Sequence, residues 1–154
     1  MRTKIGADRL ALAAAAVHFH PGRNTLVIGM GSCITYNFIN KYNEFLGGAI
    51  APGPYLMEHA LHTGTAQLPE VPLELPPVPL GRSTREAIQV GILYGFIDGV
   101  RGMLDRLVEY LGEPPYVVAT GGWAPFLEDH VAAIDAVDPH LVLRGVRILA
   151  EMND

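Results

Sequence analysis

Residues 25–53, TLVIGMGSCITYNFINKYNEFLGGAIAPG, constrain the fold more than any other stretch. Leu26, Val27 and Ile28 run into a Gly29-Met30-Gly31-Ser32 bend. Residues 33–39 then alternate, with Ile34, Tyr36 and Phe38 on one side and Cys33, Thr35, Asn37 and Ile39 on the other. Residues 40–44 make a second turn, and residues 45–50 a third strand. Period-two alternation bounded by Gly, Asn and Lys predicts a half-buried antiparallel sheet. A bend of glycines and a hydroxyl between two strands is also a place where backbone N–H groups can face an anion.

The flanking segments read as helices and a strap. Residues 7–17 are nearly all Ala and Leu, the strongest helix formers, with Asp8 in the first turn where a carboxylate suits the helix dipole. Pro21-Gly22 ends that helix. Pro52-Gly53-Pro54 opens a short helix, residues 55–62. Residues 65–81 carry Pro69, Pro72, Pro76, Pro77 and Pro79, a density that forbids helix and interior strand and predicts an extended crossing strap.

The longest element spans residues 83–111. Ser83 or Thr84 can cap it, with Glu86 placed as in a capping box. Leu93, Phe96, Ile97, Val100, Leu104, Leu107, Val108 and Leu111 recur at helical spacing. Gly91, Gly95, Gly99 and Gly102 form a second stripe, each costing roughly 1 kcal/mol relative to Ala. That repeated cost predicts a close neighbour, either within the domain or across a subunit interface. Residues 116–119 read as a strand running into Thr120-Gly121-Gly122, followed by a helix over 124–134, a strand over 141–143 and a helix over 145–152. Strands that alternate with helices after a hairpin set predict an α/β class with a mixed sheet.

The totals narrow the function. The 154 residues fit one domain, 49% of them apolar and 18% charged. A net charge of −5 with no Lys/Arg run disfavours a nucleic-acid partner, which needs clustered cations. No segment is expected to supply the roughly 20 apolar residues of a membrane span, and residues 10–17 lack a signal-peptide pattern. The single Cys33 has no partner for an internal disulfide, so a cytoplasmic setting is the expectation. His59 and His62 share a helix face but lack a third ligand for zinc. His18 and His20 face apart, Cys33 has no local base, and Trp123 suits a core.

Several motifs together resemble one family, the type III pantothenate kinases. Gly6-Ala7-Asp8-Arg9 is similar to its G-A-D-R signature, and residues 46–53 to its G-G-x-I-x-P-G segment. Thr65-Ala66-Gln67-Leu68-Pro69 matches T-A-x-L-P, residues 81–91 match the start of the long helix, and residues 119–122 the strand end beside the nucleotide. The resemblance covers the whole chain but only the C-terminal portion of the family's usual length. It implies a ribonuclease-H-like fold of the acetate and sugar kinase, heat-shock-protein and actin superfamily. The expected domain is a single one over residues 1–154, without the N-terminal phosphate-loop domain.

The implied activity is ATP-dependent phosphorylation of pantothenate in coenzyme A biosynthesis, by a homodimer using Mg²⁺ and a monovalent cation (K⁺ or NH₄⁺). Asp8 stands at the family's general base, and Gly6, Ala7, Arg9 and Thr84 at substrate-contacting positions. Ser32, Thr120, Gly121 and Gly122 stand beside the nucleotide. One carboxylate orienting a hydroxyl suits phosphoryl transfer, and Arg suits a two-point hold on a carboxylate. The chain also departs from the pattern. The family's D-x-G-N-T phosphate loop has no counterpart, which suggests a separate N-terminal half. Gly29 occupies the position of the Asp that binds the monovalent cation, and Asn37 stands where a second acid is common. These losses leave open an alternative, a non-catalytic dimerising or ligand-binding remnant of the kinase fold.

Overall fold

The computed structural model describes residues 6–153. Its centre is a five-stranded sheet in the order β3-β2-β1-β4-β5. Strands β1 (Thr25–Met30), β2 (Cys33–Ile39) and β3 (Phe45–Pro52) form the expected antiparallel set. Strand β4 (Tyr116–Gly121) lies parallel to β1, and β5 (Ala136–Val137) parallel to β4. Parallel neighbours need a crossover connection, and residues 53–115 provide it. The central β1 is flanked on both edges, so its Leu26, Val27 and Ile28 are all fully buried.

Helices cover both faces. On one face α1 (Ala7–Phe19) and α5 (Leu141–Met152) meet the sheet, and Leu12, Ala13, Ala15 and Ala16 pack with Val27, Ile39, Val118 and Leu141. The two helices touch backbone to backbone at Gly145, where a Cβ would stand 1.9 Å from the Ala11 carbonyl oxygen. On the other face α3 (Thr84–Leu111) and α4 (Ala124–Glu128) set Phe96, Ile97, Val100, Leu104 and Leu127 against Leu26, Ile28, Tyr36 and Phe38. Each such side chain contributes roughly 1.5–3 kcal/mol on full burial. Burial pushes the Tyr36 phenol up to about 12.

The start of α3 is capped as the sequence predicts. Glu86 N–H donates to Ser83 Oγ at 3.1 Å, and Glu86 Oε2 accepts from the Arg82 N–H at 2.9 Å. Helix α2 (Pro54–Thr63) and the proline strap pack on this end of α3 through Val71, Ile88, Ile92 and Leu93. Prolines lack N–H donors, so side chains tie the strap down. Buried Glu58 accepts from Val71 N–H at 3.0 Å, Gln89 donates to the Pro72 carbonyl at 2.7 Å, and Tyr94 to that of Pro76 at 2.8 Å.

Four expectations need correction. The helix expected over 124–134 stops at Glu128, because Asp135 and Asp138 draw the chain alongside β4. Asp135 N–H donates to the Val117 carbonyl, its carboxylate accepts from Val117 N–H, and Asp138 N–H donates to the Ala119 carbonyl. The strand expected over 141–143 is instead the first turn of α5. Leu141, Val142, Gly145, Ile148 and Leu149 turn inward at helical spacing while Leu143 and Val146 stay exposed. Strand β1 also runs on through Gly29 and Met30, leaving Gly31 and Ser32 as the bend. Finally, α3 is long and apolar enough, by length and composition, to cross a membrane. Its apolar face is instead committed to the sheet.

The glycine stripe has no close neighbour among the described residues. A Cβ at Gly91, Gly95, Gly99 or Gly102 would meet nothing within 4 Å.

Candidate functional site

The parallel strands β1 and β4 end side by side, and α1 begins beside them. Ligands in open α/β sheets bind at such carboxyl ends of strands. A cavity of about 480 Å³ opens there. Asp8 and Arg9 of α1, Ser32 of the bend, Thr120 and Gly121 of β4, and Gly122 in the turn after it all line it. Gly29 forms part of its floor, paired with Thr35 on one side and Thr120 on the other.

Local structure explains each placement. Gly6 is the extended N-cap residue of α1, and its carbonyl accepts from Leu10 N–H at 3.0 Å. Ala7 is the first helical residue, so Asp8 falls in the first turn, exposed at the mouth of the cavity. Gly121 has φ 101°, and a Cβ there would sit 2.1 Å from the Met30 carbonyl oxygen, so only glycine closes this strand end. A Cβ at Gly122 would meet nothing within 4 Å, which leaves that backbone open to a ligand. The bend is braced by Gly53, whose N–H donates to the Ser32 carbonyl at 2.8 Å.

Arg9 is held by a residue for which no such role was expected. Its Nε donates to Asn37 Oδ1 at 2.8 Å. Asn37 is fully buried, and its Nδ2 donates to the Val27 carbonyl and to Thr35 Oγ1, both at 3.1 Å. The strand's two faces are both covered, which only the tertiary structure shows, and a buried amide requires partners. Thr35 also lines the cavity, a placement no motif predicts. Cys33 is the first residue of β2, as expected a strand residue, and is exposed on the cavity rim.

One residue of the expected set is elsewhere. Thr84 is the exposed first residue of α3 and does not line this cavity. Trp123, next to the glycines, packs among Tyr55, Phe96 and Phe126, and its indole N–H has no partner among the described residues.

The donor set offers a cation few charged oxygens. Asp8 is the one carboxylate among the residues lining the cavity, and no cluster of three His, Cys, Asp or Glu exists among the described residues. The place of a side chain at position 29 is taken: a Cβ there would lie 2.8 Å from Thr35 Oγ1 and 3.1 Å from Leu12 Cδ1. Asn37 offers neutral atoms that are already engaged, and the charge it holds in place is positive.

Fold and cavity define an α/β protein with a pocket at the carboxyl ends of its parallel strands, walled by one carboxylate and one guanidinium. The family model for type III pantothenate kinase matches residues 1–106. The chain belongs to that family. It is 39% identical over 150 residues to type III pantothenate kinase from Geobacillus thermodenitrificans, and 38% to that from Brevibacillus brevis, covering 97% of this chain in both cases. It spans 58% of the length of each of these relatives. A crystal structure from Campylobacter jejuni, described as a conserved Baf family transcriptional activator, shares the fold. The match has a TM-score of 0.66 at 22% identity, over 99% of this chain and 67% of that one.

Proposed function

We propose that this chain is the pantothenate-side half of an ATP-dependent pantothenate kinase, built as a single ribonuclease-H-like domain in a cytoplasmic enzyme. The observation that carries this reading is the convergence of Asp8 and Arg9 with a bare glycine strand end in one cavity. Arg9 holds the substrate carboxylate, with Gly6 and Ala7 beside it. Asp8 accepts the proton of the pantothenate hydroxyl as its oxygen attacks the γ-phosphorus of ATP and ADP leaves. Ser32, Thr120, Gly121 and Gly122 border the nucleotide, and Mg²⁺ enters with its phosphates. A second wall over those phosphates comes from chain beyond the span described or from a separate polypeptide.

The uncovered glycine stripe of α3 supports a homodimer. Thr84 meets substrate only in an assembly that brings the start of α3 to a cavity. Sedimentation of Gly95→Leu tests the stripe, and an unchanged oligomer would remove it from the interface.

A second reading, a ligand-binding remnant without turnover, is favoured by the neutral residues at positions 29 and 37. ATP-dependent phosphorylation of pantothenate separates the two, measured on this chain alone and with an N-terminal half from a relative. We expect turnover with the added half and a loss of about 10²–10⁴-fold in Asp8→Asn. Absence of turnover in both arrangements would leave only the remnant.

A further inference from the structure

The hydrogen-bond polarity of the Arg9–Asn37–Thr35 network is fully determined. Arginine only donates, so the Asn37 atom facing Arg9 Nε must be the amide oxygen. The amide nitrogen therefore faces the Val27 carbonyl, which only accepts, and Thr35 Oγ1. Thr35 must accept from Asn37, which leaves its own O–H to donate elsewhere. No acceptor for that proton, or for the terminal nitrogens of Arg9, exists among the described residues. Both side chains line the cavity, and the Thr35 hydroxyl leans over Gly29 into the space a side chain there would fill. The Arg9 guanidinium lies over the Phe45 ring at 5.4 Å and beside Gly48, so the floor offers a hydroxyl donor with a positive charge on its β3 side.

We propose that the floor of this cavity takes a carboxylate or phosphate oxygen directly on the Thr35 hydroxyl and the Arg9 guanidinium, with no monovalent cation between protein and ligand. The proposal deepens the kinase reading by assigning Thr35 as a ligand-binding residue and by making binding indifferent to K⁺ and NH₄⁺. Gly29 and Asn37 are then parts of one change. Removing carboxylates from positions 29 and 37 frees the Arg9 charge from neutralisation, so the fixed guanidinium replaces a soluble ion. An anion bound to ionised donors in a partly enclosed site gains the stronger class of hydrogen bond.

The test is thermal unfolding of the whole chain in KCl, NH₄Cl, NaCl and choline chloride at equal ionic strength, titrated with inorganic phosphate or acetate as the salt of the cation present. We expect the half-saturating concentration of the effective anion to agree within about twofold across the four cations. Thr35→Val should raise it about tenfold, the loss of one hydrogen bond to a charged group, and Thr35→Ser should restore it. A response to phosphate alone assigns the floor to the nucleotide, and a response to acetate alone assigns it to a substrate carboxylate. Binding several-fold tighter in K⁺ or NH₄⁺ than in choline, or no response to either anion, overturns the proposal. Failure of the kinase reading looks different: cation-independent anion binding with no phosphorylation of pantothenate. Turnover that requires K⁺ would do the reverse, sinking this proposal and keeping the kinase.

Discussion

Strand β2 presents two unlike faces to two unlike layers. Ile34, Tyr36 and Phe38 point into a core of large side chains under α3, while Thr35 and Asn37 point toward α1. The first layer is thick and without a polar network. The second is thin, because α1 brings mainly alanines to the sheet and Gly145 lets α5 touch its backbone. On the alanine side a first-turn side chain of α1 reaches a strand residue, as Arg9 reaches Asn37 at 2.8 Å. Large residues supply stability on one face, and small ones bring polar groups within reach on the other.

The sharpest way to break this contrast is to delete mass from the α3 face. Phe96→Ala should cost about 3–5 kcal/mol by denaturant unfolding, since it removes a ring fully enclosed by other apolar groups. A cost no larger than that of a polar deletion on the α1 face would erase the distinction. That polar deletion is Asn37→Leu, similar in size but without the amide. It strips a partner from the Val27 carbonyl and releases Arg9, so about 1–3 kcal/mol should be lost together with anion binding in the cavity. Unchanged anion binding would show that Arg9 needs no such positioning. The smallest effect is expected outside both layers, at Gly95→Ala on the open side of α3. With the stripe covered in the proposed homodimer, a small loss that grows with dilution of the protein is expected, and a gain of up to about 1 kcal/mol, as for an uncovered helical glycine, would remove the stripe from the interface.

Legibility followed the length of the periodic signal. The 28-residue α3 and the three-strand meander repeat their patterns often enough to be read directly. Strand β5 has two residues and no pattern at all, and it exists because Asp135 and Asp138 bond to the backbone of β4. The triplet Leu141-Val142-Leu143 suits a strand by itself; packing of α5 on α1 decides that it is helical. Asp8, Arg9, Ser32 and the Thr120-Gly121-Gly122 turn were legible as motif residues, and the fold gathers them into one cavity. Thr35 belongs to no signature, Asn37 stands only where an acid is common, and both acquire their partners through what lies across the sheet.

The amino-acid sequence by itself determined the α/β class, the order of the main elements, the cap of α3 and the family. All of these rest on local spacing or on short motifs. Tertiary structure decided the rest: that the cavity includes Asp8 but not Thr84, that Gly29 is filled in by Thr35 and Leu12, and that the charge over Asn37 is positive. Those facts depend on distances between residues far apart along the chain, such as the 28 positions separating Arg9 from Asn37. Only packing of one layer against another sets such distances.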